Sequence, residues 1–150
     1  MPILCERQGV VYLAGASSNP AWSGWVSLIA RKQDPLTHDL AWRHEETRSY
    51  TSLAPGRLAD IRFFPEIRYR GCKVYPEWWH RESSEPLLAV LLLPSDLDFS
   101  KFFLRPPTLD DLQRAMEADG WQGDGREGWH KYVHVDELEK IEGPPPEGPF

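Results

Sequence analysis

The sequence predicts a single compact α+β domain, with a mixed or mainly antiparallel sheet and one or two helices in its C-terminal half. Three observations carry that expectation. Strand-like segments come first and helical patterning later, a hairpin pattern occupies residues 66–75, and seven consecutive apolar residues (87–93) lie between Pro86 and Pro94. A run apolar at every position reads as a fully buried strand at the centre of the sheet. It falls far short of the roughly 20 residues that span a bilayer. Leu93 precedes a proline, which favours extended backbone.

In chain order, residues 10–14 (Val-Val-Tyr-Leu-Ala) read as a first strand, closed by Gly15 and the polar run Ser17, Ser18, Asn19, Pro20. Residues 25–30 form a second strand, ended by the Asp34-Pro35 turn. Residues 36–52 show no clear period. In the hairpin, a two-residue turn at Arg70-Gly71 puts Ile67, Tyr69, Cys72 and Val74 on one face and Glu66, Arg68, Lys73 and Tyr75 on the other. Arg68 then faces Lys73, a repulsive pair unless a carboxylate or another anion such as a phosphate sits between them. The acidic C-terminal half is one source of such a carboxylate.

Beyond the central run, Phe102, Phe103 and Leu104 are expected to be buried. Thr108 caps a helix with an apolar stripe of Leu109, Leu112 and Met116, and Gly120 ends it. Residues 129–135 alternate as a strand, and Asp136 opens a short helix at 136–139. Residues 1–142 make the domain, and 143–150 are a Pro- and Gly-rich mobile tail.

Several chemical motifs fail on context. Gly123, Gly125 and Gly128 have dinucleotide-binding spacing, but a helix precedes them and a strand follows, the reverse of what a pyrophosphate site needs. Calcium binding through Asp119, Asp124 and Glu127 lacks the alternating ligands of an EF-hand loop. His130 and His134 sit about 13 Å apart on a strand, too far for one metal ion. Arg48 takes the place of the second histidine in a zinc-protease pattern begun by His44-Glu45, and no nucleophile elbow is present. A Glu77-His80 pair is of a kind that any chain with five His and 23 acidic residues offers. No metal or cofactor is therefore expected.

Charge is divided unevenly. Residues 1–75 hold ten Lys/Arg against seven Asp/Glu, net +3, while residues 76–150 hold seven against sixteen, net −9. Arg62, Arg68, Arg70 and Lys73 stand near Phe63, Phe64 and Tyr69 as a nucleic-acid patch would, but a net charge of −6 opposes that use. The leading expectation is a cytosolic, non-enzymatic binding protein of inhibitor or immunity type. It docks an acidic, aromatic surface onto a basic partner such as a nucleic-acid-acting toxin. Its expected contact residues are Trp78, Trp79, His80, Asp110, Asp111, Glu117, Asp119, Asp124 and Glu127. The alternative is a small enzyme or ligand-binding protein with an aromatic pocket around Tyr69, Tyr75, Trp78, Trp79 and His80.

Overall fold

The computed structural model describes residues 2–16, 25–45, 50–55, 59–98, 100, 105 and 107–148. The chain is mostly sheet, which corrects the α+β expectation. Its strands are β1 (Ile3–Arg7), β2 (Val10–Ala16), β3 (Trp25–Ala30), β4 (Trp42–His44), β5 (Tyr50–Pro55), β6 (Ile61–Tyr69), β7 (Cys72–Trp79), β8 (Leu87–Leu92), β9 (Gln122–Asp124), β10 (Gly128–His134) and β11 (Leu138–Gly143). Among the described residues there is one α-helix, α1 (Leu109–Ala118). Ten strands follow the order β4-β5-β3-β2-β1-β6-β7-β8-β10-β9, curled into a half-barrel, and β11 pairs with β6 off that path. Among the described residues every pairing is antiparallel.

The expected helix at 136–139 does not form. Val135–Glu137 makes only a 3-10 turn, capped by His134, whose Nδ1 accepts from the Asp136 amide at 3.1 Å. The chain then becomes β11, with Leu138 opposite Tyr69 and Glu139 opposite Arg68. An open edge on β6 and an opposite-charge cross-strand pair outweigh a weak local helix signal. Strand β1 and the short β4 and β5 complete the sheet. Residues 17–20 and 102–104 lie outside the described residues. In the last segment, the Ala16 amide donates to the Gly148 carbonyl at 2.9 Å.

The hairpin forms as the alternation requires, with Ile67 opposite Val74 and Tyr69 opposite Cys72. Arg70 and Gly71 both take positive φ (49° and 81°), the backbone a two-residue turn needs to match strand twist. The carboxylate between Arg68 and Lys73 is Glu66 of the same strand, at 3.2 and 3.9 Å.

Strand β8 is paired on both edges, by β7 and β10. Its burial alternates, however: Leu88, Val90 and Leu92 are buried, while Leu87, Ala89 and Leu91 are only half-buried. The run is apolar on both faces, but one face alone meets the core. The helix forms as read, with Thr108 Oγ1 accepting from the Asp111 amide at 3.1 Å and Leu112 and Met116 buried. Leu109, expected in the stripe, is 84% exposed.

Strands β6 and β7 part beyond their hairpin and divide the sheet into two leaves. An N-terminal leaf runs from β6 through β1, β2, β3 and β5 to β4, and a C-terminal leaf runs from β7 through β8 and β10 to β9. The main core joins them: Leu4, Leu13, Ile29 and Ile67 pack in one cluster with Trp79, Leu88, Val90, Trp129 and Val133. A second cluster holds Cys5, Tyr12, Ala14, Leu28 and Phe63 on the other face of the N-terminal leaf, packed against Leu36, Leu40 and Trp42. Neighbours along a strand thus serve different cores, Leu4 and Cys5 or Tyr12 and Leu13.

Candidate functional site: the outer face of the C-terminal leaf

A β-bulge creates the site. Between the pairs Pro76–Val90 and Trp79–Leu88, β7 places two residues, Glu77 and Trp78, against the single Ala89 of β8. The extra residue reverses the inward parity. Cys72, Val74 and Pro76 point inward, then Trp79 does, and Trp78 is left outside. Trp79 is 4% exposed, and its Nε1 donates to the Ile29 carbonyl at 3.0 Å, tying one leaf to the other. Trp78 is 41% exposed.

Strand β10 alternates in step, burying Trp129 and Val133 and turning His130 and Tyr132 outward. Tyr132, opposite Ala89, is 53% exposed. The small alanine between Trp78 and Tyr132 leaves a groove of about 330 Å³, walled by Glu77, Trp78, His130 and Tyr132. Gly120, Gln122 and Lys131 complete its lining, so the C-terminal end of α1 abuts it.

His130 Nδ1 lies 2.5 Å from Glu77 Oε1, a contact reaching over β8. The His80 ring stands edge-on to Tyr132 at 4.6 Å. Its Nδ1 accepts from the Glu82 and Ser83 amides, which keeps the proton on the other nitrogen. Lys131 is committed elsewhere: its ammonium donates to the Asp119 carbonyl at 2.6 Å and lies over the Tyr69 and Trp121 rings. No protein-family model, curated protein or solved structure matches this chain.

The residues singled out from sequence scatter. Trp78 lines the groove, His80 borders it through Tyr132, and Trp79 is core. Tyr69 is buried, and Tyr75 lies beneath the Lys73 ammonium at 5.2 Å, so the five aromatic-pocket residues do not converge. Asp110, Asp111, Glu117 and Glu127 are exposed. The first two lie about 10–12 Å from the groove end of a ten-residue helix. The Asp111 carboxyl is held below its usual range by Thr108 and then by Arg114.

Asp119 accepts from Arg70 (2.9 and 3.0 Å) and from Trp121 Nε1 (3.1 Å). Partial burial pushes its carboxyl up, but the Arg70 and Trp121 hydrogen bonds and the Lys131 charge outweigh that and hold it below the ordinary range. Asp124 closes the β9–β10 turn, and the Glu127 and Arg126 amides hold its carboxyl low as well. One glycine of that loop has a clear backbone reason. Gly123 sits at φ +121°, where a Cβ would come within 2.2 Å of the Gly128 carbonyl oxygen.

Among the described residues, no group of three or more His, Cys, Asp or Glu is placed to hold a metal. No helix of the described residues is long and apolar enough to cross a membrane. Cys5 and Cys72 are buried and unpaired, and burial pushes the Cys5 thiol up to about 12. Sequence reasoning missed Tyr132, Gln122, Ala89 and the Glu77–His130 pair. The available signals were the alternation of residues 129–135, which sets Tyr132 and His130 opposite Trp129, and Pro76, which in a paired strand marks a bulge.

Proposed function

We propose that this chain is a non-enzymatic protein-binding module of inhibitor or immunity type, working in the cytosol. It docks onto a basic partner, such as a nucleic-acid-acting toxin, through the outer face of its C-terminal leaf. The observation that supports this reading is the exposure of Trp78 and Tyr132 around one groove on a sheet face. Large aromatics exposed at the centre of a polar-rimmed surface are the usual anchors of protein interfaces. Glu77 within the groove, Glu117 and Asp119 at the adjoining helix end and the net −9 of the second half favour a basic partner. Asp110 and Asp111 act at longer range, by steering. Two unpaired buried cysteines suit a reducing compartment.

The test is side-by-side affinity capture from cells with the wild-type chain and a Trp78→Ala/Tyr132→Ala variant, read together with thermal unfolding. The expected result is a basic protein held by the wild type and lost by a variant that folds equally well. Equal capture by both overturns the reading. A small-ligand reading draws on the same groove, because 330 Å³ is at the lower end of ligand-site volumes and Glu77–His130 supplies a polar pair. It predicts a metabolite that raises the melting temperature of the wild type and not of Trp78→Ala.

A further inference from the structure

We infer that the groove on the C-terminal leaf seats a single arginine side chain of the basic partner. The inference rests on the protein-binding reading and gives the chemistry of its centre. Glu77 contributes a half-buried carboxylate, oriented by His130 Nδ1 on one oxygen. A carboxylate has room for about four hydrogen bonds, so this contact leaves acceptor capacity for a guanidinium. Trp78 and Tyr132 line the same space, and aromatic rings attract a cation. Lys131 does not neutralise Glu77, since its ammonium is held by Asp119.

Arginine suits this set better than lysine. Its planar, weakly hydrated group stacks on rings and forks onto a carboxylate, whereas an ammonium gives up its water reluctantly. The molecule already builds the same arrangement within itself. The Arg70 guanidinium lies over the Tyr69 ring at 4.9 Å while its Nη1 bonds both oxygens of Asp119. The groove brings a carboxylate and two aromatic side chains together in the same way.

The experiment titrates the full chain with the capped tripeptide acetyl-Gly-Arg-Gly-amide and its lysine and citrulline counterparts, following the Trp78 indole N–H by NMR. The arginine peptide should shift that signal saturably in the millimolar range. The lysine and citrulline peptides should bind at least about tenfold more weakly, and Glu77→Gln should weaken the arginine peptide by a similar factor at unchanged melting temperature. Equal binding of arginine and citrulline, equal binding of arginine and lysine, no shift at Trp78, or indifference to Glu77→Gln each overturns the inference. If the arginine peptide fails while the Trp78→Ala/Tyr132→Ala variant still loses its partner, the arginine seat falls and the interface stands. If the arginine peptide binds while partner capture ignores that variant, the seat stands and the interface falls.

Discussion

The two leaves are built from the same antiparallel alternation, yet their outer faces are treated in opposite ways. On the N-terminal leaf the outward positions are apolar on successive strands (Cys5, Tyr12, Leu28 and Phe63), and Leu36, Leu40 and Trp42 pack over them. Arg7, 4% exposed, fastens that cover by hydrogen bonds to Thr37 and Asp39, and Trp42 Nε1 donates to the Thr37 carbonyl at 3.0 Å. On the C-terminal leaf the outward positions of β7 and β10 mix aromatic and titratable groups, and Trp78 and Tyr132 stay open to solvent. Apolar surface left open costs stability that the neighbouring leaf shows how to recover, by folding a segment across it. The contrast separates a face covered by the chain's own segment from a face left open to solvent, the one to which we assign the proposed docking.

The largest expected effect tests the bulge that makes this difference. Trp79→Ala should cost about 3–5 kcal/mol, while Trp78→Ala should cost no more than about 0.5 kcal/mol, both measured by denaturant unfolding. Similar losses at the two positions would mean that parity is not reversed at Glu77-Trp78. The same parity on β8 makes Leu88→Ala cost about 2–5 kcal/mol and Leu91→Ala clearly less. The cover of the other leaf should be the next most sensitive feature. Asp39→Ala removes the main hydrogen-bonding partner of a buried guanidinium, leaving Asp60 at 3.1 Å, so a loss of stability smaller than that of Trp79→Ala but resolved by denaturant unfolding is expected. An unfolding curve indistinguishable from the wild type's would show that the cover does not depend on this anchor.

What the sequence made legible follows from how local each determinant is. The 66–75 hairpin, the β3 segment, the Thr108 cap and the presence of a strand within 87–93 depend on neighbours within a few residues, and all are readable from them. The C-terminal segment was misread because its state depends on an open edge of β6 some 70 residues away, which no local pattern reveals. The apolar run at 87–93 predicts a strand buried on both faces, because composition shows apolarity and not which side meets a core. The site itself was half legible. Trp78 was singled out, but an aromatic doublet alone does not say which ring goes inside. The decision lies in the bulge beside Pro76 and the small Ala89 across from it. Tyr132 and His130 were visible only as members of an alternating strand, and their approach to Trp78 and Glu77 depends on the register of two further pairings.

The smallest expected effect compares how acid acts at the two faces. The Asp119 carboxyl, beside the groove, is held below its ordinary range: burial works against the charge, but Arg70, Trp121 and Lys131 outweigh it. A carboxyl depressed in the folded state contributes stability above its unfolded value of about 3.9, and loses it as pH falls through the lower folded value. Asp39, in the covering segment of the other leaf, is depressed in the same direction, first by its Arg7 hydrogen bond. Asp119 is about one-third exposed, and such pairs are worth about 0–1 kcal/mol. Asp119→Asn should therefore lower stability slightly at neutral pH, and its unfolding curve should converge on the wild type as pH drops below about 3.9. A gap that persists undiminished in acid would mean that Asp119 acts by shape rather than charge. Asp39→Asn should show a wider gap at neutral pH that closes in the same direction, because its partner is a buried arginine rather than an exposed one. If the two gaps are equal, the cover of the N-terminal leaf is held no more tightly than the rim of the open groove, and the contrast between the faces is one of composition alone.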